Sequence, residues 1–319
     1  MRRALLASAL ALALTAVVVA IATRNGTAAT ESWNTLTPAP LARTEVAAAR
    51  IGRFIYVVGG FEEQGGETTG ALERYDIRRD RWRRLRPLPV GVNHPAAAAH
   101  RGKLYVHGGF TGRRDLSSAT AALWRYNPNR NRWKRLRPSL TPRAAHALAV
   151  LGGRLYAAAG SGDSGSLASL EIYDFKRRRW RSGPSLRGPA RNHTTGVAAG
   201  GFFYVLAGRA DGNYAVAERY NPRRRRWQLL PDMAKARGGI ASVRVGRRVV
   251  VFGGEEPAGT IGEVEAFDPR TMRWSRLPDM RTPRHGLGGA AMGKRIYAIE
   301  GGPTPGFDFS RAIEFLDLP

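Results

Sequence analysis

Tryptophan recurs at nearly constant spacing along this 319-residue chain, and this spacing constrains the fold more than any other feature. Six tryptophans lie 49, 51, 47, 47 and 47 residues apart: Trp33, Trp82, Trp133, Trp180, Trp227 and Trp274. An aromatic residue precedes all but the first by seven positions: Tyr75, Tyr126, Tyr173, Tyr220 and Phe267. A period of this length indicates repeated units that stack into one continuous core.

The two ends of the repeated region hold complementary parts of one unit. Trp33 has no aromatic residue seven positions upstream, and Phe315 near the C-terminus has no tryptophan after it. This arrangement predicts a closed ring of six units in which the N-terminal segment completes the last unit.

Residues 143–183 show the strand pattern of one unit. The short apolar runs Ala147–Leu151 and Arg154–Ala158 flank Gly152-Gly153, which is typical of a tight hairpin. Leu170–Tyr173 alternates apolar and polar residues, and a last strand carries Trp180. We therefore predict four short antiparallel strands in each unit, named a to d in chain order.

Two further features recur with the tryptophans. Strand b ends in each unit at a pair of small residues, which the spacing assigns to Gly59-Gly60, Gly108-Gly109, Ala159-Gly160, Ala207-Gly208, Gly253-Gly254 and Gly301-Gly302. Strand c carries a glutamate in five units, namely Glu73, Glu171, Glu218, Glu265 and Glu314, whereas Trp124 takes its place in the second.

The small pair after a tyrosine, the later aromatic residue and the tryptophan seven positions beyond it resemble the kelch repeat, and this resemblance covers residues 32–319. It implies an all-β, six-bladed kelch-type β-propeller with four antiparallel strands per blade, whose last blade is closed by the N-terminal strand. Such closure leaves no open edge between the first and last blades.

Residues 1–31 lie outside the repeats and have the features of an export segment. Arg2 and Arg3 precede an apolar run over residues 4–22, which just reaches the length of a bilayer span. The segment is either a cleaved signal peptide or a retained membrane anchor followed by a short linker. In both cases we expect the propeller to lie outside the cytoplasm, membrane-anchored or secreted.

The net charge of +26 comes almost wholly from arginine. An excess of this size attracts anionic partners, although a biased codon usage would produce it too. Arginine concentrates in the predicted c–d turns, so we expect one basic end, near an anionic membrane surface, and no nucleic-acid partner. The b–c and d–a connections form the opposite end, which we call the mouth. The sequence contains no cysteine, which excludes disulfides and a thiol nucleophile.

The kelch resemblance implies that ligands bind at the mouth, through residues that open strand a and residues that follow strand b. Mapped by spacing, the candidates are Arg43, Glu45, His94, Arg143, His146, Arg191, His193, Arg209, Arg237, Arg284 and His285. Arginines around one opening suit a carboxylate or phosphate, although each could instead pair with a strand-c glutamate. The histidines suit a ligand or a metal. Because we expect the blades to hold these rings too far apart for one ion, we predict no metal and no other cofactor.

The preferred interpretation is an extracytoplasmic binding module without catalysis, whose mouth takes a protein, a glycan or an anionic polymer. The alternative is a sugar-acid mutarotase or related isomerase, because the chain resembles the exported bacterial sialic-acid mutarotases in fold and address. Glu45, Glu255, His94 or His193 would then supply the acid and the base. Glutamate and histidine converging within about 3 Å of one atom would favour catalysis, and a wide glycine-lined mouth would favour binding. A purely structural domain is a third interpretation.

Overall fold

The computed structural model of the protein describes residues 32–319, which form strands, turns and loops without a helix among them. The predicted export signal or membrane anchor of residues 1–31 lies outside the described residues. Within residues 32–319, no helix is long and apolar enough to cross a membrane.

Six antiparallel sheets share one four-strand core, with strands a, b, c and d in chain order. Sheet 1 is formed by Ala47–Ile51, Phe54–Val58, Leu72–Asp76 and Arg81–Leu85. Sheet 2 is formed by Ala96–His100, Lys103–His107, Leu123–Asn127 and Arg132–Leu136. Sheet 3 is formed by Ala147–Leu151, Arg154–Ala158, Leu170–Asp174 and Arg179–Ser182.

The remaining sheets repeat this order with longer strands in two cases. Sheet 4 is formed by Thr195–Ala199, Phe202–Arg209, Asn213–Asn221 and Arg226–Leu229. Sheet 5 is formed by Gly238–Val245, Arg248–Glu256, Val264–Asp268 and Arg273–Leu277, with Gly259–Thr260 added beside strand b. Sheet 6 is formed by Gly288–Met292, Arg295–Ile299, Ile313–Asp317 and the N-terminal Asn34–Thr35.

Short strands in the loops complete the secondary structure. Arg43–Thr44, Phe61–Glu62 and Glu67–Thr68 pair with one another, and Ser161–Gly162 pairs with Gly165–Ser166.

Sheet 6 joins the two ends of the described chain. Asn34 pairs with Phe315 and Thr35 pairs with Glu314, so the N-terminal strand is strand d of this sheet. The six strands a contact one another in cyclic order, and strand a of sheet 6 returns to strand a of sheet 1. The predicted all-β kelch-type propeller, with its last sheet completed by the N-terminal strand, is confirmed.

The recurring tryptophans connect neighbouring sheets. Each strand-d tryptophan of sheets 1 to 5 packs on the aromatic residue of strand c, as Trp82 does on Tyr75 with ring centroids 5.1 Å apart. Every indole Nε1 also donates to a backbone carbonyl of the preceding sheet's outer segment: Trp33 to Pro278, Trp82 to Thr37, Trp133 to Arg86, Trp180 to Arg137, Trp227 to Pro184 and Trp274 to Pro231. The tryptophan period therefore reflects one packing role and one hydrogen bond per sheet.

The small pair that ends strand b is shifted in sheet 6, and the sequence assignment of Gly301-Gly302 is wrong by one residue. Gly59 and Gly60 have φ angles of 72° and 95°, and the residues with matching angles in sheet 6 are Glu300 at 55° and Gly301 at 94°. A glutamate thus occupies a position that is glycine or alanine in the other five sheets. The uniform spacing of three residues from the strand-b Tyr or Val could have revealed this.

The strand-c aromatic position of sheet 6 is also shifted by one residue. Leu316, rather than Phe315, pairs with Ile296 as Tyr75 pairs with Ile55 in sheet 1. Leu316 lies in the same core cluster as Trp33. Phe315 lies on the other face of the strand, where the Arg295 guanidinium covers its ring at 3.8 Å.

Candidate functional site

One residue from each sheet organises the mouth, two positions after the predicted arginine. These residues all have left-handed backbone and form what we call the mouth ring: Glu45, His94, Ala145, His193, Gly239 and Gly286. Backbone hydrogen bonds link each turn to the next, as from His94 N to Glu45 O at 3.0 Å, and Val46 N to Gly286 O closes the circle at 3.1 Å. Left-handed backbone costs a non-glycine residue about 1–2 kcal/mol, so four side chains are held here under strain.

The residue before each mouth-ring member brings a b–c loop to the same place. It bridges to the residue that follows the small pair, as Asn93 does to Phe110 and Asn192 does to Arg209. In sheet 6 this residue is Gly302, not the predicted Pro303, because His285 bridges to Gly302. The mouth therefore combines side chains of the ring with side chains of the loops.

Three side chains of the mouth ring converge on one point. His94 Nε2 lies 3.0 Å from Glu45 Oε2 and 3.1 Å from His193 Nε2. The ligand atoms of all three residues lie within 4.8 Å of one another, so the expectation that the rings are too far apart for one ion is wrong. The reason is Ala145, which lies between His94 and His193 in the ring and has no side chain that would separate them.

The charges of this cluster depend on one another. Burial opposes ionisation of Glu45, but His94 and His285 more than offset it and hold the pKa of this carboxyl well below its ordinary value. Burial, reinforced by His94, holds the pKa of His193 well below its ordinary value. Burial would also lower the pKa of His285, but its 3.2 Å hydrogen bond to Glu45 Oε1 helps to raise it above the ordinary value. Glu45 is therefore a carboxylate that faces imidazoles of different basicity.

A cavity of about 260 Å³ opens beside this cluster. Its polar wall includes Glu255, which accepts hydrogen bonds from Arg209 at 2.7 Å and from Gly306 N at 2.9 Å. Its apolar wall includes Phe61 and Phe307, whose ring centroids lie 4.9 Å apart, and Phe307 is 53% exposed. An aromatic surface therefore lies beside groups that donate and accept hydrogen bonds.

Sequence reasoning found part of this lining and missed the rest. It named Glu45, His94, His193, Arg209 and His285, and the structure places them all at the mouth. It missed Phe307 in the b–c loop of sheet 6, and Arg114 and Leu116 in that of sheet 2. The only available signal was the length of these two loops, residues 108–122 and 301–312.

The five predicted arginines are buried beneath the mouth and do not line it. Each pairs with the strand-c glutamate of its own sheet: Arg43 with Glu73 at 3.0 Å, Arg143 with Glu171 at 2.6 Å, Arg191 with Glu218 at 3.0 Å, Arg237 with Glu265 at 2.7 Å and Arg284 with Glu314 at 3.1 Å. All five side chains are 0% exposed. Four also donate to the carbonyl of the first residue in the small pair, as Arg43 does to Gly59. The structure therefore supports a role in the fold, through the glutamate pairing that the sequence left open.

His146 is buried below the mouth ring and faces another histidine. Its Nε2 lies 2.9 Å from His107 Nδ1, and His107 Nε2 lies 3.0 Å from Ser139 Oγ. Burial, with the nearby Arg143 charge, lowers the pKa of His107 to about 3 and also lowers that of His146. Both rings are therefore neutral spacers between sheets 2 and 3.

Comparison with known proteins identifies the family. A family model described as the KLHDC2/KLHL20/DRC7 Kelch-repeats domain matches residues 45–236, and a Kelch motif model matches residues 236–281. The chain belongs to the kelch-repeat family. Mouse Kelch-like protein 26 is 51% identical to this kelch chain over 53 residues, which are 17% of the chain and 9% of that protein. A solved kelch-like fold, "Structure of YjhT", superposes with a TM-score of 0.75 at 15% identity, over 88% of this chain and 96% of that one. At this identity the likeness concerns the fold alone.

Proposed function

We propose that this kelch propeller is a binding module whose mouth takes a polar group of a glycan or of a protein. The kelch fold supports a role as an interaction module in general. The convergence of Glu45, His94 and His193 at one end of an open cavity carries the finer proposal. A cavity of about 260 Å³ admits a single sugar or a side chain, not a folded surface.

The lining of the cavity suits hydroxyl-bearing ligands better than a long anionic polymer. Arg209 is already paired with Glu255, and Glu45 places a second carboxylate on the same wall. Charges of both signs therefore face the ligand, and simple attraction of a polyanion is weak at this site. Phe61 and Phe307 add apolar area on which a sugar ring or an aliphatic side chain can pack.

A binding screen tests this proposal. The full-length chain is screened against glycans, sugar acids and short peptides at low and high salt. We expect selective binding that persists at high salt and weakens at least about tenfold in Phe307→Ala and His193→Ala, since each loses direct contacts worth about 1.4 kcal/mol or more. His100→Ala is the matched control, because His100 stacks on Phe175 away from the mouth. Unselective binding that disappears with salt in every variant would overturn the proposal.

Acid–base catalysis on a sugar acid is the second candidate, and one observation favours it. Glu45 Oε2 and His94 Nε2 lie 3.0 Å apart, so a carboxylate and an imidazole from facing sheets converge as a mutarotase requires. The same full-length chain is tested by following the equilibration of sugar-acid anomers by NMR. Acceleration that is lost in Glu45→Gln supports catalysis, whereas tight binding without acceleration supports the module alone.

The location of the protein outside the cytoplasm remains part of this proposal. It is supported by the apolar run of residues 4–22 and by the arginines of the c–d turns, which are exposed. A groove of about 700 Å³ at that end is lined by Arg50, Arg244, Arg247, Arg248, Arg270 and Lys294. We propose that this basic end faces an anionic membrane. Vesicle binding by the full-length chain that ignores anionic lipid content and salt would contradict this orientation.

A further inference from the structure

Glu45, His94 and His193 have the spacing of ligands around one metal ion. His94 Nε2 lies 3.0 Å from Glu45 Oε2 and 3.1 Å from His193 Nε2. Zinc bonds of about 2.0–2.1 Å to nitrogen and oxygen place neighbouring ligand atoms of a tetrahedron about 3.3 Å apart. Two of the three separations are therefore already close to the edges of such a tetrahedron, and all three atoms fall within 4.8 Å.

The hydrogen bonds behind the two imidazoles fix which nitrogen faces the site. Asn93 Nδ2 donates to Thr68 Oγ1 at 2.8 Å, so its Oδ1 is left to accept from His94 Nδ1 at 2.8 Å. Asn192 Nδ2 donates to Ser166 Oγ at 2.8 Å, and its Oδ1 accepts from His193 Nδ1 at 2.5 Å. Each ring therefore carries its proton on Nδ1 and presents an Nε2 lone pair to the other ring.

This arrangement is unfavourable unless a cation lies between the groups. Two Nε2 lone pairs and a carboxylate oxygen that face one point repel one another, and a shared cation removes the repulsion. Amide oxygens behind ligating histidines are the support that metal sites commonly use to orient the rings. Glu45 Oε1 is held in the same way by His285 Nδ1 at 3.2 Å.

Another histidine pair in the structure shows that close imidazoles alone do not make such a site. His107 and His146 lie 2.9 Å apart, but Ser139 completes their chain of hydrogen bonds and Arg143 is the nearby charge. A positive neighbour in place of a carboxylate disfavours a cation there.

The backbone of the mouth ring also leaves room for this cluster. A Cβ at position 286 would lie 2.5 Å from Glu45 Oε1, so Gly286 lets the carboxylate occupy its place. Gly239 likewise adds no side chain to the ring, and the three candidate ligands border the open cavity of the mouth.

We propose that Glu45, His94 and His193 bind one divalent transition-metal ion, of which Zn²⁺ fits best. Two imidazoles and one carboxylate are ligands that zinc accepts, and three protein ligands leave a coordination position free. That position faces the mouth cavity, where it can take an oxygen of the ligand. The metal site stands on the three side chains, whereas its part in ligand binding rests on the proposed function.

The test measures metal binding directly, without any glycan or peptide. Full-length protein without a polyhistidine tag is stripped with a chelator and titrated with Zn²⁺ by calorimetry, and with Co²⁺ by its visible absorption. We expect one ion per chain and the strong absorption of tetrahedral Co²⁺. His193→Ala and Glu45→Gln should weaken binding at least about 100-fold, and Asn192→Ala about 10–100-fold through loss of ring orientation.

Two controls keep the outcome decisive. His100→Ala should bind the metal as the unchanged protein does, because this histidine stacks on Phe175 outside the mouth. Glu45→Gln keeps the shape of the side chain, so it reports on the ligand atom even where His193→Ala lowers stability. Absence of binding, or equal binding by Glu45→Gln and the unchanged chain, overturns the site. A chain that selects glycans but binds no metal would overturn this inference and leave the proposed binding module intact.

Discussion

Two rings of residues in this propeller lie two positions apart in sequence and have different chemistry. The inner ring consists of the buried Arg–Glu pairs, and five of six sheets carry the same two residue types. The mouth ring keeps its left-handed backbone in all six sheets, but its side chains are glutamate, histidine, alanine or glycine. Residues that repeat stabilise the repeat, whereas positions that keep the backbone and vary the side chain are available for function.

Sheet 2 supports this distinction. Val92 replaces the arginine and Trp124 replaces the glutamate, so both members of the pair are absent together. One buried charge without its partner would be strongly destabilising, whereas an apolar pair is tolerated. The inner ring therefore behaves as a structural unit that is either whole or missing.

The largest expected effect separates the two rings within one turn. Arg191→Ala leaves Glu218 buried without its 3.0 Å partner and should lower the free energy of unfolding by about 3–5 kcal/mol. His193→Ala, two residues later, removes hydrogen bonds at the edge of a cavity and should cost about 1 kcal/mol. Urea unfolding of both full-length variants measures the difference.

A double variant is the control for this prediction. Arg191→Met with Glu218→Leu removes both charges and should recover most of the stability lost in Arg191→Ala. Equal losses in Arg191→Ala and His193→Ala would break the distinction between the two rings.

Much of the fold was predictable because it is written in repeats. The strands Ala147–Leu151 and Arg154–Ala158 have the predicted bounds, and the N-terminal strand pairs where the missing tryptophan partner placed it. The sixth unit was misassigned at two positions because Glu300 and Leu316 depart from the residue types of the other units. Spacing from Tyr297 would have been a better guide than residue identity.

The candidate site was predictable in its residues but not in its contacts. The sequence located Glu45, His94 and His193, yet the distance across Ala145 depends on the curvature of the whole ring. It also could not decide whether Arg191 faces a ligand or Glu218, since both suit a guanidinium. Phe307 lies in a loop without periodicity, so no pattern indicated it.

The next prediction concerns Glu300, the one carboxylate that enters the inner ring from a small-residue position. It lies 3.0 Å from Arg43, which Glu73 also contacts at 3.0 Å, so one guanidinium serves two carboxylates. Burial raises the pKa of Glu300 to about 7, and the Glu73 charge adds to this effect. The folded protein therefore holds a proton that the unfolded chain, with a pKa of 4.5, releases.

The sign of the pH effect follows from this difference. Stability from protonated Glu300 is present below pH 4.5 and is lost as the pH rises through about 7, with a total of about 3 kcal/mol. Glu300→Gln should remove this part of the pH dependence, measured by urea unfolding between pH 5 and pH 8. Glu67→Gln, at an exposed carboxylate, is the control and should leave the slope unchanged. If Glu300→Gln keeps the slope of the unchanged protein, Glu300 is ionised in the fold.

The smallest expected effects lie within the mouth ring, where residue type is nearly free of the fold. Ala145 has φ of 50°, so Ala145→Gly should relieve left-handed strain and change stability by less than about 1 kcal/mol, because glycine also adds entropy to the unfolded chain. Gly239 has φ of 72°, and Gly239→Ala should cost about 1 kcal/mol through strain. Urea midpoints of the two variants measure both changes. A loss in Gly239→Ala as large as that in Arg191→Ala would show that the mouth ring is built for stability, because its side-chain variety would then reflect packing rather than a site.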